Sequence, residues 1–129
     1  MKNILAFVLL LSFAHISSAR SMISVTEKWG GDGITITAYS NGQTNVAFDC
    51  ASGSITSFKI VNSVLKSKGT YNANTGMHLR PINLPRSEVA LYSGAVNKKR
   101  MNLIIRIEGK EDREYMLIKG SDGNLRRCM

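Results

Sequence analysis

The sequence predicts an all-β domain, a small antiparallel barrel or sandwich of about eight strands with one disulfide. Three observations predict it. Short segments rich in Ile, Val, Thr, Tyr and Phe alternate with clusters of Gly, Asn and Asp, the pattern of strands joined by turns. Amphipathic helices with proper caps are missing, although residues 57–68 could also form a short helix. The chain has 129 residues, 43% apolar and 20% charged, which is one folded domain. That length excludes a dinucleotide-binding fold, a β/α barrel or a two-domain enzyme.

Residues 23–29 read as the first strand, closed by a turn through Gly30, Gly31, Asp32 and Gly33. Residues 33–50 form a hairpin. Ile34, Ile36 and Ala38 alternate with Thr35, Thr37 and Tyr39, and Asn41-Gly42 marks a turn in which both central residues take positive φ. The return strand is expected to put Val46, Phe48 and Cys50 on one face. Residues 54–61 are a further strand, and residues 66–74 carry a short one around Thr70 and Tyr71. Residues 78–88 hold both prolines, Pro81 and Pro85, and read as an extended loop or edge piece. Residues 89–96 form a strand, with Asn97, Lys98 and Lys99 as a polar turn. Residues 101–108 place Met101, Leu103, Ile105 and Ile107 on one face. Residues 109–112 turn the chain, residues 114–119 form a strand, Ser121-Asp122-Gly123 turns again, and residues 124–128 complete the sheet.

The first nineteen residues read as an address. Met1-Lys2-Asn3 is a positive start, residues 4–13 hold nine apolar residues in ten, and small side chains precede a cut after Ala19. Ten apolar residues span about 15 Å of helix, half a bilayer core. Residues 1–19 are therefore expected to be a signal peptide, residues 20–129 a single β-domain, and the location periplasmic or secreted, with no membrane span. An exported chain meets an oxidising compartment, and two cysteines allow one intramolecular pairing, Cys50 with Cys128. The pairing closes 79 residues and ties down a terminus that would otherwise fray.

The residues offer little catalytic chemistry. Nucleophile elbow, phosphate loop, zinc-protease and calcium-loop signatures are all missing. The Gly-rich stretch at residues 30–33 precedes a strand, not the helix a phosphate cradle needs. His78 is the only histidine after the address and sits in the loop that holds the prolines. No metal site, cofactor or catalytic residue is expected. Trp29, Tyr39, Tyr71, Tyr92 and Tyr115 are expected mostly in core or rim packing.

The charge is +8, from 17 basic and 9 acidic residues, and the excess is larger in residues 77–129 than in residues 20–76. Lys98, Lys99 and Arg100 lie in one turn, Arg126 and Arg127 near the end. A cationic exported surface favours an anionic envelope component or an acidic protein. Nucleic acid is not expected, because the basic runs carry no interleaved aromatics.

Together, W-G-G-D-G-I at residues 29–34, F-D-C-A-S-G at 48–53, Y-S-G-A-V at 92–96, M-N-L at 101–103 and R-C at 127–128 resemble a family of uncharacterised small bacterial secreted or lipid-anchored β-domains. The resemblance covers most of the chain after the address. It implies a compact β-domain with its two cysteines joined, and no reaction. The lipid-anchor cysteine is missing here, so the secreted form is implied. A second resemblance is to periplasmic inhibitors of c-type lysozyme, small disulfide-linked β-barrels. Its nearest matches are Tyr92-Ser93-Gly94 and Lys119-Gly120, implying Ser93 and Lys119 as contacts, with Gly94 where that family has an acidic residue.

The expected function is thus an exported, non-catalytic binding domain of the envelope or extracellular space, with an anionic partner and Lys98, Lys99, Arg100, Arg126 and Arg127 as its basic contacts. Inhibition of a wall-degrading enzyme such as lysozyme is the alternative, and a small hydrolase the second alternative.

Overall fold

The computed structural model describes residues 22–73 and 87–126. Nine strands follow one another: β1 (Val25–Gly31), β2 (Ile34–Tyr39), β3 (Thr44–Phe48), β4 (Ala51–Ile55), β5 (Ile60–Val61), β6 (Val64–Ala73), β7 (Glu88–Asn97), β8 (Arg100–Ile107) and β9 (Arg113–Lys119). Each pairs antiparallel with its neighbours. β4 pairs with β6 and β9 returns to β1, which closes eight strands into a barrel with β5 as an addition. Closure removes the open edges that a sandwich would keep. No helix occurs among the described residues, so the helical alternative at residues 57–68 does not form.

The interior is built by alternation along the strands, with Thr35 also buried, under the returning C-terminal chain. Ile34, Ile36 and Ala38 point inward from β2, and Val46 and Phe48 from β3. Met101, Leu103, Ile105 and Ile107 point inward from β8 as the pattern predicts. Trp29, Tyr71 and Tyr92 are buried in the core and Tyr115 packs against it, while Tyr39 is half-buried on the outward phase of β2. The apolar interior lies under a wall that bears Lys66, Lys68, Arg106 and Glu114 together with the exposed Val89, Leu91, Met116 and Ile118.

Several local expectations are corrected. Gly30 and Gly31 belong to β1, and the turn is Asp32 and Gly33 alone. A Cβ on Gly30 would collide with the main chain of Ser121, Asp122 and Gly123, and one on Gly31 with the Met116 oxygen. These glycines answer close backbone approach rather than turn geometry. The β2–β3 hairpin exists, but Asn41 does not take positive φ. Gly42 alone does, at 86°, behind a turn in which its N–H donates to the Tyr39 oxygen. That is a three-residue loop with a glycine bulge, and Asn41 Oδ1 locks it by accepting from the Gln43 N–H at 3.0 Å.

Cys50 does not continue the face of Val46 and Phe48. β3 ends at Phe48, and Cys50 sits in the turn to β4 with φ 57°. The strand expected over residues 54–61 is two pieces on one path along β6. β4 lies against Gly69–Ala73, the Thr56 N–H donates to the Lys68 oxygen at 3.0 Å, and β5 resumes on Leu65 and Val64. The strand expected over residues 66–74 is the longer β6. The last strand, expected over residues 124–128, is among the described residues a single parallel bridge of Asn124 to Asp32. His78, Pro81 and Pro85, and with them most of the expected extended segment, lie outside the described residues, as do Arg127, Cys128 and the expected signal peptide.

The alternating strand directions define two ends. The first end holds the β2–β3 turn, the 56–63 segment, the β7–β8 turn and the end of β9. The second holds the β1–β2, β3–β4 and β8–β9 turns. After β9 the chain turns at Gly120 and runs back along β1 toward the second end. There the Thr35 hydroxyl donates to the Asp122 oxygen at 2.6 Å, and the Arg126 N–H donates to Asp49 Oδ1.

Candidate functional site

The meander sorts charge between the two ends. Among the described residues, the turn segments of the first end carry Lys59, Lys98 and Lys99 and no acid. Those of the second end carry, among the described residues, Asp32, Asp49, Glu108, Glu111 and Asp112 with Lys110, and Arg113 and Arg126 lie at the same end. Turns alternate between ends along the chain, so charges scattered in the sequence become an axial asymmetry.

The β7–β8 turn builds the centre of the first end. Asn97 pairs with Arg100 across a two-residue turn, and Lys98 takes φ 57° to close it. β9 ends against this turn, where the Lys119 N–H donates to the Lys99 oxygen at 2.8 Å. The Lys119 side chain bends over the barrel mouth, with Nζ 6.0 Å from the Trp29 ring and 3.6 Å from Glu27 Oε1. Trp29 Nε1 donates to the same Glu27 oxygen at 2.9 Å. Glu27 therefore balances Lys119. Lys28 is likewise paired with Asp122. Lys59, Lys98, Lys99 and Arg100 take part in none of the ion pairs of the described residues and stand exposed.

The second end is closed by aromatics. Phe48 meets Tyr71 edge-on at 5.3 Å and Tyr115 at 5.8 Å. Arg113 Nη1 donates to the Tyr71 hydroxyl at 2.7 Å, and its guanidinium lies 5.1 Å from the Tyr71 ring centre. Lys110 pairs with Glu88 at 2.9 Å beside the same ring. Lys110 is ion-paired within this end, whereas Arg113 meets the neutral Tyr71 phenol and takes part in none of the ion pairs of the described residues. Among the described residues no three His, Cys, Asp or Glu side chains converge as metal ligands.

The fold thus brings Lys98, Lys99, Arg100 and Lys119 together. It does not bring Arg126 to them, because the returning chain carries Arg126 to the second end beside Asp49. Ser93 lies on the outer wall of β7, between Lys66 of β6 and Ile104 of β8. Ser93 and Lys119 face opposite sides of the wall.

Sequence reasoning missed Lys59 and a cluster on the outer wall. Lys66 and Lys68 alternate about Ser67 and so share the outer face of β6. Register places Lys68 beside Leu91 and Leu91 beside Arg106. With Ile104 and Ser93 they line a shallow depression of about 380 Å³. The alternation of the two lysines was visible in the sequence, whereas Arg106 joins them only through strand register.

Among the described residues, fold and site together define a closed antiparallel β-barrel with an apolar core and a cluster of exposed cations at its first end. The chain matches no family model, no curated protein and no solved structure. No helix of the described residues is long and apolar enough to cross a membrane.

Proposed function

We propose that this protein is an exported, non-catalytic binding domain that presents the first end of its barrel to an anionic partner. The observation that carries the reading is the cluster of Lys59, Lys98, Lys99 and Arg100, exposed at one end and in no ion pair of the described residues, with the described turn acids at the other end. Clustered like charges raise the local concentration of an opposite ligand and its rate of encounter. The address at residues 1–19 places the domain outside the cytoplasm, and Cys50 joins Cys128 there. The Arg126–Asp49 hydrogen bond supports that pairing, because it holds the chain two residues before Cys128 beside the neighbour of Cys50. The inhibitor alternative needs Ser93 and Lys119 together in one enzyme cleft, and their opposite orientation favours the anionic-partner reading instead.

Retention of the purified protein on a heparin resin tests this reading. The protein is expected to bind at low salt and to elute as salt rises, since exposed charges are screened within about 8 Å at physiological ionic strength. Lys98→Glu with Lys99→Glu should elute much earlier, and Lys110→Glu at the second end should elute close to the wild type. Equal elution of the Lys98/Lys99 variant and the wild type would overturn the reading.

A further inference from the structure

Exposed aliphatic side chains on the outer face beside the first end narrow the class of partner. Val61 and Val64 flank the turn between β5 and β6 and are 53% and 49% exposed. Asn62 and Ser63 both take positive φ, 52° and 63°, so this two-residue turn is tight and holds the valines side by side. The Val96 N–H donates to the Ser63 oxygen at 2.8 Å, which fastens the hairpin tip to β7 just before the Lys98–Lys99 turn. Lys59, which is exposed, immediately precedes β5. Val25 and Ile23 are also exposed at this end, where the Ser40 N–H donates to the Ser24 oxygen.

A soluble polyanion would leave such a pair of aliphatic side chains in water. An anionic bilayer accommodates both kinds of group, because ammonium groups lie at the phosphates while short apolar side chains enter the headgroup boundary. We propose that the first end docks on the surface of an anionic lipid bilayer, with Val61 and Val64 entering the headgroup layer and Lys59, Lys98, Lys99 and Arg100 against the phosphates. The proposal rests on the anionic-partner reading and names its class. The proposed contact is peripheral, confined to the first end of the barrel.

Sedimentation with vesicles tests it, with heparin retention run in parallel. The protein is expected to bind phosphatidylcholine vesicles containing phosphatidylglycerol and not vesicles of phosphatidylcholine alone. Val61→Ser with Val64→Ser should weaken vesicle binding about tenfold or more while leaving heparin retention unchanged, which also shows that the variant folds. Lys98→Glu with Lys99→Glu should weaken both. If the valine variant binds vesicles like the wild type, or the wild type binds heparin but no vesicle, the lipid proposal falls and the anionic-partner reading stands. If the wild type binds neither, both fall.

Discussion

The Tyr92 hydroxyl donates to the main-chain oxygen of Thr70 at 2.8 Å from inside the barrel. The ring reaches that oxygen by lying over two glycines. A Cβ on Gly69 would stand 2.8 Å from the ring, and one on Gly53 would stand 2.6 Å from the hydroxyl. A large aromatic on β7 thus fills the space left empty by β4 and β6.

Gly69→Ala is therefore expected to destabilise the barrel by about 1–3 kcal/mol, the ordinary cost of overpacking, or more because the Ser54 oxygen also blocks the new methyl. Urea unfolding followed by Trp29 emission measures it. A midpoint equal to the wild type would show that the ring does not occupy this space.

Burial raises the Tyr92 hydroxyl well above its ordinary value of 10, and the nearby Tyr71 and Tyr115 add to the shift. The native state then keeps a proton that the unfolded chain releases above about pH 10. The contribution is complete below that pH and is lost as pH rises beyond it. Tyr92→Phe should cost about 1 kcal/mol at neutral pH, for the hydrogen bond to Thr70, and should unfold less steeply in alkali. Parallel alkaline curves for the two proteins would contradict the assignment.

Glu27 accepts from the buried Trp29 indole and pairs with Lys119. Its two roles carry different weight. Lys119→Ala should change stability by less than about 1 kcal/mol, since exposed ion pairs contribute little. Glu27→Ala strands the indole N–H and should cost about 1–3 kcal/mol. Thermal unfolding of both variants decides it, and equal effects would show that the ion pair rather than the indole hydrogen bond governs this mouth.

The pairing of Cys50 with Cys128 would close a loop of 79 residues, for which loop entropy corresponds to about 4 kcal/mol. Non-reducing peptide mapping should recover the two cysteines in one linked fragment. Cys50→Ser should lower the urea midpoint by a comparable free energy, and Asp49→Ala should lower it further only modestly. Two free thiols in protein recovered from an oxidising compartment would refute the pairing.

The all-β class, the inward faces of β2, β3 and β8, and the positions of most turns were legible in the sequence. A strand's side chains alternate with period two, and Gly, Asn and Asp mark where strands stop. What a residue meets across the sheet is not local. Gly30 and Gly31 read as turn residues, because the chain that crosses them comes ninety residues later. Cys50 read as a strand residue, because nothing in its neighbours announces a positive φ.

By itself, then, the sequence determined how much charge the chain carries and where most of its strands run. Only closure of the barrel decided where that charge lies. An antiparallel meander sends alternate turns to opposite ends, so Lys98 and Lys99 join Lys59 and Lys119 while Arg126 is carried away to Asp49. Pairing distant strands is a tertiary event, and the cationic end exists only once it has taken place.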